Sequence, residues 1–173
     1  MSDFDIRSTS PADIEALETL YLAAFPEEDL VSLVRELVGG PTPVISLAAV
    51  KDGQIVGHVV FTPCGVSGSD ETASLLGPLC VTPMLHKQGI GSALIKAGME
   101  EAHKSGARQV LVLGDPAYYA RSSFKPSAAI EAPYPLPAEW LAAWQWQMLD
   151  DGEPLTGRLV VPGPWQSAAL WGE

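Results

Sequence analysis

The chain has 173 residues, 47% of them hydrophobic and 18% charged, so it can bury one sizeable core and is too apolar to be intrinsically disordered. Its formal net charge is −11, from 21 acidic and 10 basic residues, which argues against a non-specific nucleic-acid binder and favours a cationic or amine partner. No apolar run is long enough to span a membrane, and the opening MSDFDIRSTS has neither the basic start nor the apolar centre of a secretory signal, so a cytoplasmic protein is expected.

In chain order, Asp5–Ser8 reads as a first strand. Ser10 then offers an N-cap, Pro11 suits a first helical position and Asp13 favours the first turn. Ile14, Leu17, Leu20, Tyr21 and Ala24 recur at helical spacing, and Pro26 ends that helix. A second helix carries Leu30, Leu33, Val34 and Leu37 on one face and stops at Gly39-Gly40. Residues 44–50 and 54–62 are β-rich and flank Asp52-Gly53, a strong hairpin signal. Residues 65–70 read as a polar loop, Thr72–Val81 as a strand, 89–105 as an amphipathic helix and 109–113 as a buried strand. A short helix over 117–122 follows the Asp115-Pro116 turn.

The strand–helix–strand run from Thr72 to Leu113 implies two neighbouring parallel strands, whereas the hairpin makes its surroundings antiparallel. The expected fold is therefore α/β (α+β): a mixed, mostly antiparallel sheet flanked by helices, in a single domain over 1–173. Its core covers about 5–126. From about 132 to 173 the chain is rich in Pro and holds all five tryptophans, Trp140, Trp144, Trp146, Trp165 and Trp171. The Trp140/Trp144 spacing predicts a helix over 139–149, and 156–161 reads as a last strand. These aromatics suit a core cap, a homodimer interface or a pocket wall.

The stretch richest in chemistry is Leu79–Ser92. A strand closes at Thr82-Pro83, a loop leads to Gly89-Ile90-Gly91, and an amphipathic helix begins. The first turn of a helix has unpaired N–H groups and a partial positive charge, and glycines let an anion approach the backbone. Lys87 adds a cation and Ser92 a hydroxyl, so a locally anion-binding turn is compatible with the acidic whole. The segment is neither a P-loop, since Gly-Lys-Ser/Thr occurs nowhere, nor a dinucleotide fingerprint, since Leu94 stands where the third glycine would be. By itself the glycine pair is equally a tight strand-to-helix turn.

This block resembles the acetyl-CoA motif of GNAT acetyltransferases, V-x-P followed by [QR]-x-x-G-x-[GA]. Val81-Thr82-Pro83, Gly89 and Gly91 match it, and His86 replaces the Gln or Arg. Downstream, Tyr119-Ala120-Arg121-Ser122-Ser123-Phe124 is similar to the family's Y-x-x-x-G-F, with Ser123 for Gly. The resemblance covers about residues 5–126 and implies a GNAT fold, acetyl-CoA as acyl donor and an amine acceptor, either a small molecule or a protein. It assigns donor binding to Leu79, Cys80, Val81, His86, Lys87, Gln88, Gly89, Ile90, Gly91 and Ser92, with the backbones of Leu79 and Val81 along the pantetheine arm. It makes Tyr119 the acid that protonates the departing thiolate. Glu27 and Glu28, between the first two helices, become candidates for attracting the acceptor ammonium, although they are equally a solvated acidic helix start. The general base stays open, with Glu71 a further candidate.

Cys64 and Cys80 lack CxxC spacing and sit in apolar strands, so buried reduced thiols are expected, without disulfide or zinc. His58, His86 and His103 show no metal-ligand spacing, and no metal is expected. Two other readings compete with the transferase: a catalytically silent CoA-binding protein of the same fold, motivated by His86 and Ser123, and an interaction protein that uses the Trp-rich tail.

Overall fold

The structure is a computed structural model and describes residues 3–126 and 128–172; Met1, Ser2, Ser127 and Glu173 lie outside the described residues. The chain forms two compact units. One takes the residues up to Phe61 together with Gly77–Glu100, the other Thr62–Leu76 together with the residues from Glu101 onward.

In the first unit, β1 (Asp5–Ser8) leads through a 3-10 turn at Pro11–Asp13 into α1 (Ile14–Ala24) and then α2 (Val31–Gly39). The Ser10 amide donates to the Asp13 carboxylate at 2.8 Å, which satisfies a donor at the helix start. β2 (Ile45–Lys51) and the first part of β3 (Gln54–Val66) form the expected hairpin, pairing from Ile45↔Phe61 to Lys51↔Gln54 with a register shift between Ala49 and Val50. Its turn residues Asp52 and Gly53 have φ of 52° and 77°, the left-handed pair that a two-residue hairpin turn needs. β1 pairs antiparallel with β2, from Asp5↔Val50 to Ser8↔Leu47.

The apolar face of α1 buries Leu17, Leu20 and Tyr21 with Val34 of α2 and Cys80 of β4 (Thr72–Val81). Helix α3 (Ile90–Lys104) buries Ile90, Leu94 and Ile95. At Gly98 the helix lies so close to the Phe61 ring that a Cβ there would enter it.

The second unit holds β5 (Ala107–Leu113), α4 (Pro116–Ala120), β6 (Lys125–Pro126), β7 (Ile130–Glu131), β8 (Trp144–Met148) and β9 (Gly157–Val160). β5 pairs parallel with the first half of β4 and antiparallel with β8, which pairs in turn with β6. The nine-stranded sheet runs β1-β2-β3-β4-β5-β8-β6, with β9 joined to both β3 and β7. β4–β5 and β7–β9 pair in parallel, whereas β1–β2, β2–β3, β3–β9, β5–β8 and β6–β8 are antiparallel. The mixed, mostly antiparallel sheet with helices on it, and its β-α-β unit from Thr72 to Leu113, are as the sequence implies.

Two segments depart from the sequence reading. The helix expected over 139–149 is a 3-10 turn at Ala138–Ala143 followed by strand β8. Trp144-Gln145-Trp146-Gln147-Met148 alternates apolar and polar with period two, and β5, buried along nearly its whole length, needs a partner on its second edge. The pairing Gln109↔Met148 to Leu113↔Trp144 supplies it, and the Trp140/Trp144 spacing is not helical. The loop expected over 65–70 begins later, because Gly65 and Val66 prolong β3 to pair with Val160 and Leu159.

The tryptophans largely build the second unit's interior. Trp144, Trp165 and Trp171 are buried, and their indole N–H groups donate to the Ile130 carbonyl at 2.8 Å, the Thr62 hydroxyl at 3.1 Å and the Trp165 carbonyl at 3.1 Å. Each apolar ring thus has a partner for its one polar atom. Trp140, by contrast, is exposed.

His58 is wholly buried in the first unit, with Nδ1 2.8 Å from the Tyr21 hydroxyl and Nε2 2.7 Å from the Ser46 hydroxyl. Burial lowers its pKa to about 3, with the Asp13 charge acting in the opposite direction. The folded protein therefore cannot take up the proton that the unfolded chain accepts below its ordinary value of 6.5. Stability should be full above pH 6.5 and fall as the pH drops toward 3, at up to about 1.4 kcal/mol per pH unit from this group. Urea unfolding at pH 7.5 and 5.0 checks this, and His58→Gln should flatten the dependence. In the same assay, Gly98→Val should cost about 2–3 kcal/mol through overpacking against Phe61.

Candidate functional site

The site begins where β4 loses a neighbour. Its ladder with β5 runs from Thr72↔Ala107 to Leu76↔Val112 and stops. Gly77-Pro78, a cis peptide, follows. From there to Val81, the edge of β4 facing away from β3 has no strand partner among the described residues.

Strand parity identifies the groups left on that edge. The Thr82 N–H donates to the Val56 carbonyl of β3 at 2.8 Å. In a trans peptide the carbonyl on the other side of the bond points the opposite way, so Val81 C=O faces the open edge. A strand residue's N–H and C=O share a side, and the side alternates. Val81 and Leu79 therefore present their backbone groups to the open edge, whereas Cys80 turns its own toward β3. The Cys80 side chain packs with α1, and its thiol is pushed up to about 12 by burial, so it stays protonated and is no nucleophile. Cys64 is likewise free, buried and pushed up to about 12 by burial.

Beyond β4 the chain makes a 3-10 turn at Pro83–Leu85 and reverses. Lys87 and Gly89 take left-handed φ of 65° and 82°. A Cβ on Gly89 would meet nothing within 4 Å, so glycine is favoured there by the backbone angle and not by crowding. The Ala93 N–H donates to the Gly89 carbonyl at 3.0 Å as the helix begins. The N–H groups of Ile90, Gly91 and Ser92 precede it and have no partner inside the helix.

Beside this first turn lies an open hollow of about 320 Å³, lined by Asp3, Phe4, Lys51, Gln88, Gly89, Ile90 and Ala93. Lys87, Gln88 and Ser92 are exposed, and Ile90 and Gly91 are buried. Lys51 escapes sequence reasoning. It flanks the hairpin turn, and only the sheet brings it to the hollow beside the start of α3. The helix-start amides, the glycine turn and a lysine lining the hollow suit a phosphate-bearing ligand. Among the described residues no group of three or more His, Cys, Asp and Glu is placed to hold a metal, and no helix is long and apolar enough to cross a membrane.

In the second unit, the Asp115 carboxylate caps α4 by accepting from the Ala117 N–H at 3.0 Å. Tyr119 is buried, with its ring edge-on to Tyr118 at 5.1 Å and to Phe124 at 5.9 Å. Gly114 leaves room for that ring, which a Cβ there would strike. Burial first, then the neighbouring Tyr118 and Asp115, raise the Tyr119 pKa above that of an ordinary phenol, so the hydroxyl holds its proton. Ser123 adopts the left-handed region, φ 71°, as a glycine would.

Glu27 and Glu28 are exposed between α1 and α2, and the Glu28 N–H donates to the Phe25 carbonyl at 3.2 Å. Glu71 and His103 are exposed as well.

These features coincide with a family pattern: residues 14–124 match the model of the Acetyltransferase (GNAT) family. The chain belongs to the GNAT acetyltransferase family. It is 36% identical over 175 residues to the uncharacterized N-acetyltransferase YjhQ of Escherichia coli K12, covering 96% of each chain. Among solved structures it resembles the GNAT family N-acetyltransferase YhbS of Escherichia coli in complex with CoA. That match has a TM-score of 0.86 and 27% identity and covers 96% of this chain and 94% of the other. A GNAT family acetyltransferase of Brucella melitensis in complex with acetyl-CoA gives a TM-score of 0.76 at 27% identity, covering 94% and 98%.

The GNAT family's Y-x-x-x-G-F pattern and the angle at Ser123 point to one testable cost. A side chain in the left-handed region is strained. Ser123→Gly should therefore raise stability by about 0.5–1 kcal/mol, read as a higher denaturation midpoint at unchanged slope.

Proposed function

We propose that this GNAT family member is an acetyl-CoA-dependent N-acetyltransferase that acts on a primary amine by direct attack. The observation that carries the reading is that an edge of β4 without a strand partner, at Leu79 and Val81, leads through one short turn to the first turn of α3, whose N–H groups have no partner inside the helix. An extended amide-bearing arm ending in a pyrophosphate is the ligand such a run fits, and YhbS and the Brucella melitensis protein are solved with CoA and acetyl-CoA.

Acetyl-CoA supplies the acetyl group as a thioester. Leu79 and Val81 hold the arm through their backbones. Ile90, Gly91 and Ser92 receive the pyrophosphate on their N–H groups, with Lys87 and Lys51 adding positive charge against the net −11 of the chain. Gln88 and His86 complete the turn, and Cys80 contributes packing.

Tyr119 keeps its proton at Oη and delivers it to the departing sulfur; its raised pKa suits an acid and not a base. An amine of pKa about 10 arrives largely protonated, so a base or a water relay must take that proton. Glu27 and Glu28 draw the ammonium toward the α1–α2 junction. The proposed setting is the cytoplasm, in keeping with the free thiols of Cys64 and Cys80.

Isothermal titration with acetyl-CoA, followed by thiol release on an amine panel, tests the proposal. Wild type should bind and release thiol with some amines. Gly89→Glu should abolish both, because it places a carboxylate and a strained side chain at the phosphate turn. Tyr119→Phe should leave binding intact and lower kcat about 100-fold. Binding without release on any amine would favour a catalytically silent CoA-binding protein, and no binding would overturn the reading.

A further inference from the structure

We propose that His86, where the GNAT pattern has Gln or Arg, is a positioning residue. Its ring N–H clamps the end of β4 and so sets the direction of the phosphate-binding turn. The inference rests on the donor reading above.

His86 Nε2 lies 2.9 Å from the Val81 carbonyl oxygen. A carbonyl only accepts, so Nε2 carries the hydrogen and donates it, in the neutral ring and in the charged ring alike. Val81 C=O is the last group on the open edge of β4, and the imidazole of His86 closes that edge.

The segment so closed has little else to hold it. Within Thr82–His86 the turn bonds are Leu85 N–H to Thr82 O at 3.0 Å and His86 N–H to Pro83 O at 3.4 Å, the second long for an N–H···O bond. Immediately after His86 the backbone enters the left-handed angles of Lys87 and Gly89, which aim the amides of Ile90, Gly91 and Ser92. A rotation at His86 would swing all of them. The ring therefore fixes the strand edge that takes the arm and the turn that takes the phosphates in one arrangement before the ligand arrives, and that preorganisation appears as affinity. Glutamine at this position carries an N–H donor of similar reach, whereas alanine and serine cannot span to Val81.

The test is calorimetric titration of CoA into wild type, His86→Ala, His86→Ser and His86→Gln, with the melting temperature of each unliganded protein. The Ala and Ser variants should bind about 5- to 10-fold more weakly at nearly unchanged melting temperature, and the Gln variant within about twofold of wild type. Equal or tighter binding by Ala and Ser overturns the proposal, since the ring would then be idle or would obstruct the carbonyl. A Gln variant as weak as Ala overturns it too, as does an affinity loss matched by a collapse in melting temperature. Wild type that fails to bind CoA removes the donor reading and this inference together. Wild type that binds CoA no better than the truncations removes only the role of His86.

Discussion

The structure turns on a strand whose ladder stops halfway. β4 pairs with β5 through Leu76, and the ladder stops before Gly77-Pro78. A strand edge without a partner is ordinarily a liability, because its N–H and C=O groups seek one. Here the open stretch is short, its end is closed by the His86 ring, and the strand's other edge is held through the Thr82 N–H on Val56. What is left without a strand partner is a small set of backbone groups, those of Leu79 and the N–H of Val81, which the proposed reading gives to the donor's arm.

The same economy explains how an acidic protein can serve an anionic donor. With a net charge of −11 the chain has no basic field to draw a polyphosphate from a distance. Backbone amides at the start of α3 act only at short range and need no side-chain charge, so they work where the global field does not. In the proposed reading Lys87 and Lys51 add local positive charge; Lys51 and Asp3 both line the hollow beside this turn. In the proposed reading the global acidity stays available to attract a cationic acceptor, with Glu27 and Glu28 exposed.

The second unit shows a different use of composition. The tryptophans of the C-terminal stretch resemble an interaction surface when counted along the sequence. In the structure Trp144, Trp165 and Trp171 are instead interior residues whose indole N–H groups are all hydrogen-bonded. Strand β8 covers the far edge of β5, and β9 joins the extended end of β3, so this stretch belongs to the sheet.

Sequence alone determined the features that local chemistry dictates. The Asp52-Gly53 hairpin, the helices broken at Pro26 and Gly39-Gly40, the β-α-β run and the glycine turn before α3 are all visible there, because turn angles, caps and helical periodicity are written in neighbouring residues. The family followed from the same local motif. Tertiary structure decided whatever depends on residues far apart in the chain. Residues 144–148 became a strand because β5 needed an edge partner, and Gly65-Val66 stayed in β3 because β9 reached them. Lys51 came to the hollow beside the start of α3 through the sheet, and His86 found the Val81 carbonyl across the intervening turn. Pairing partners and side-chain reach are set by the global fold, and no window of neighbouring residues contains them.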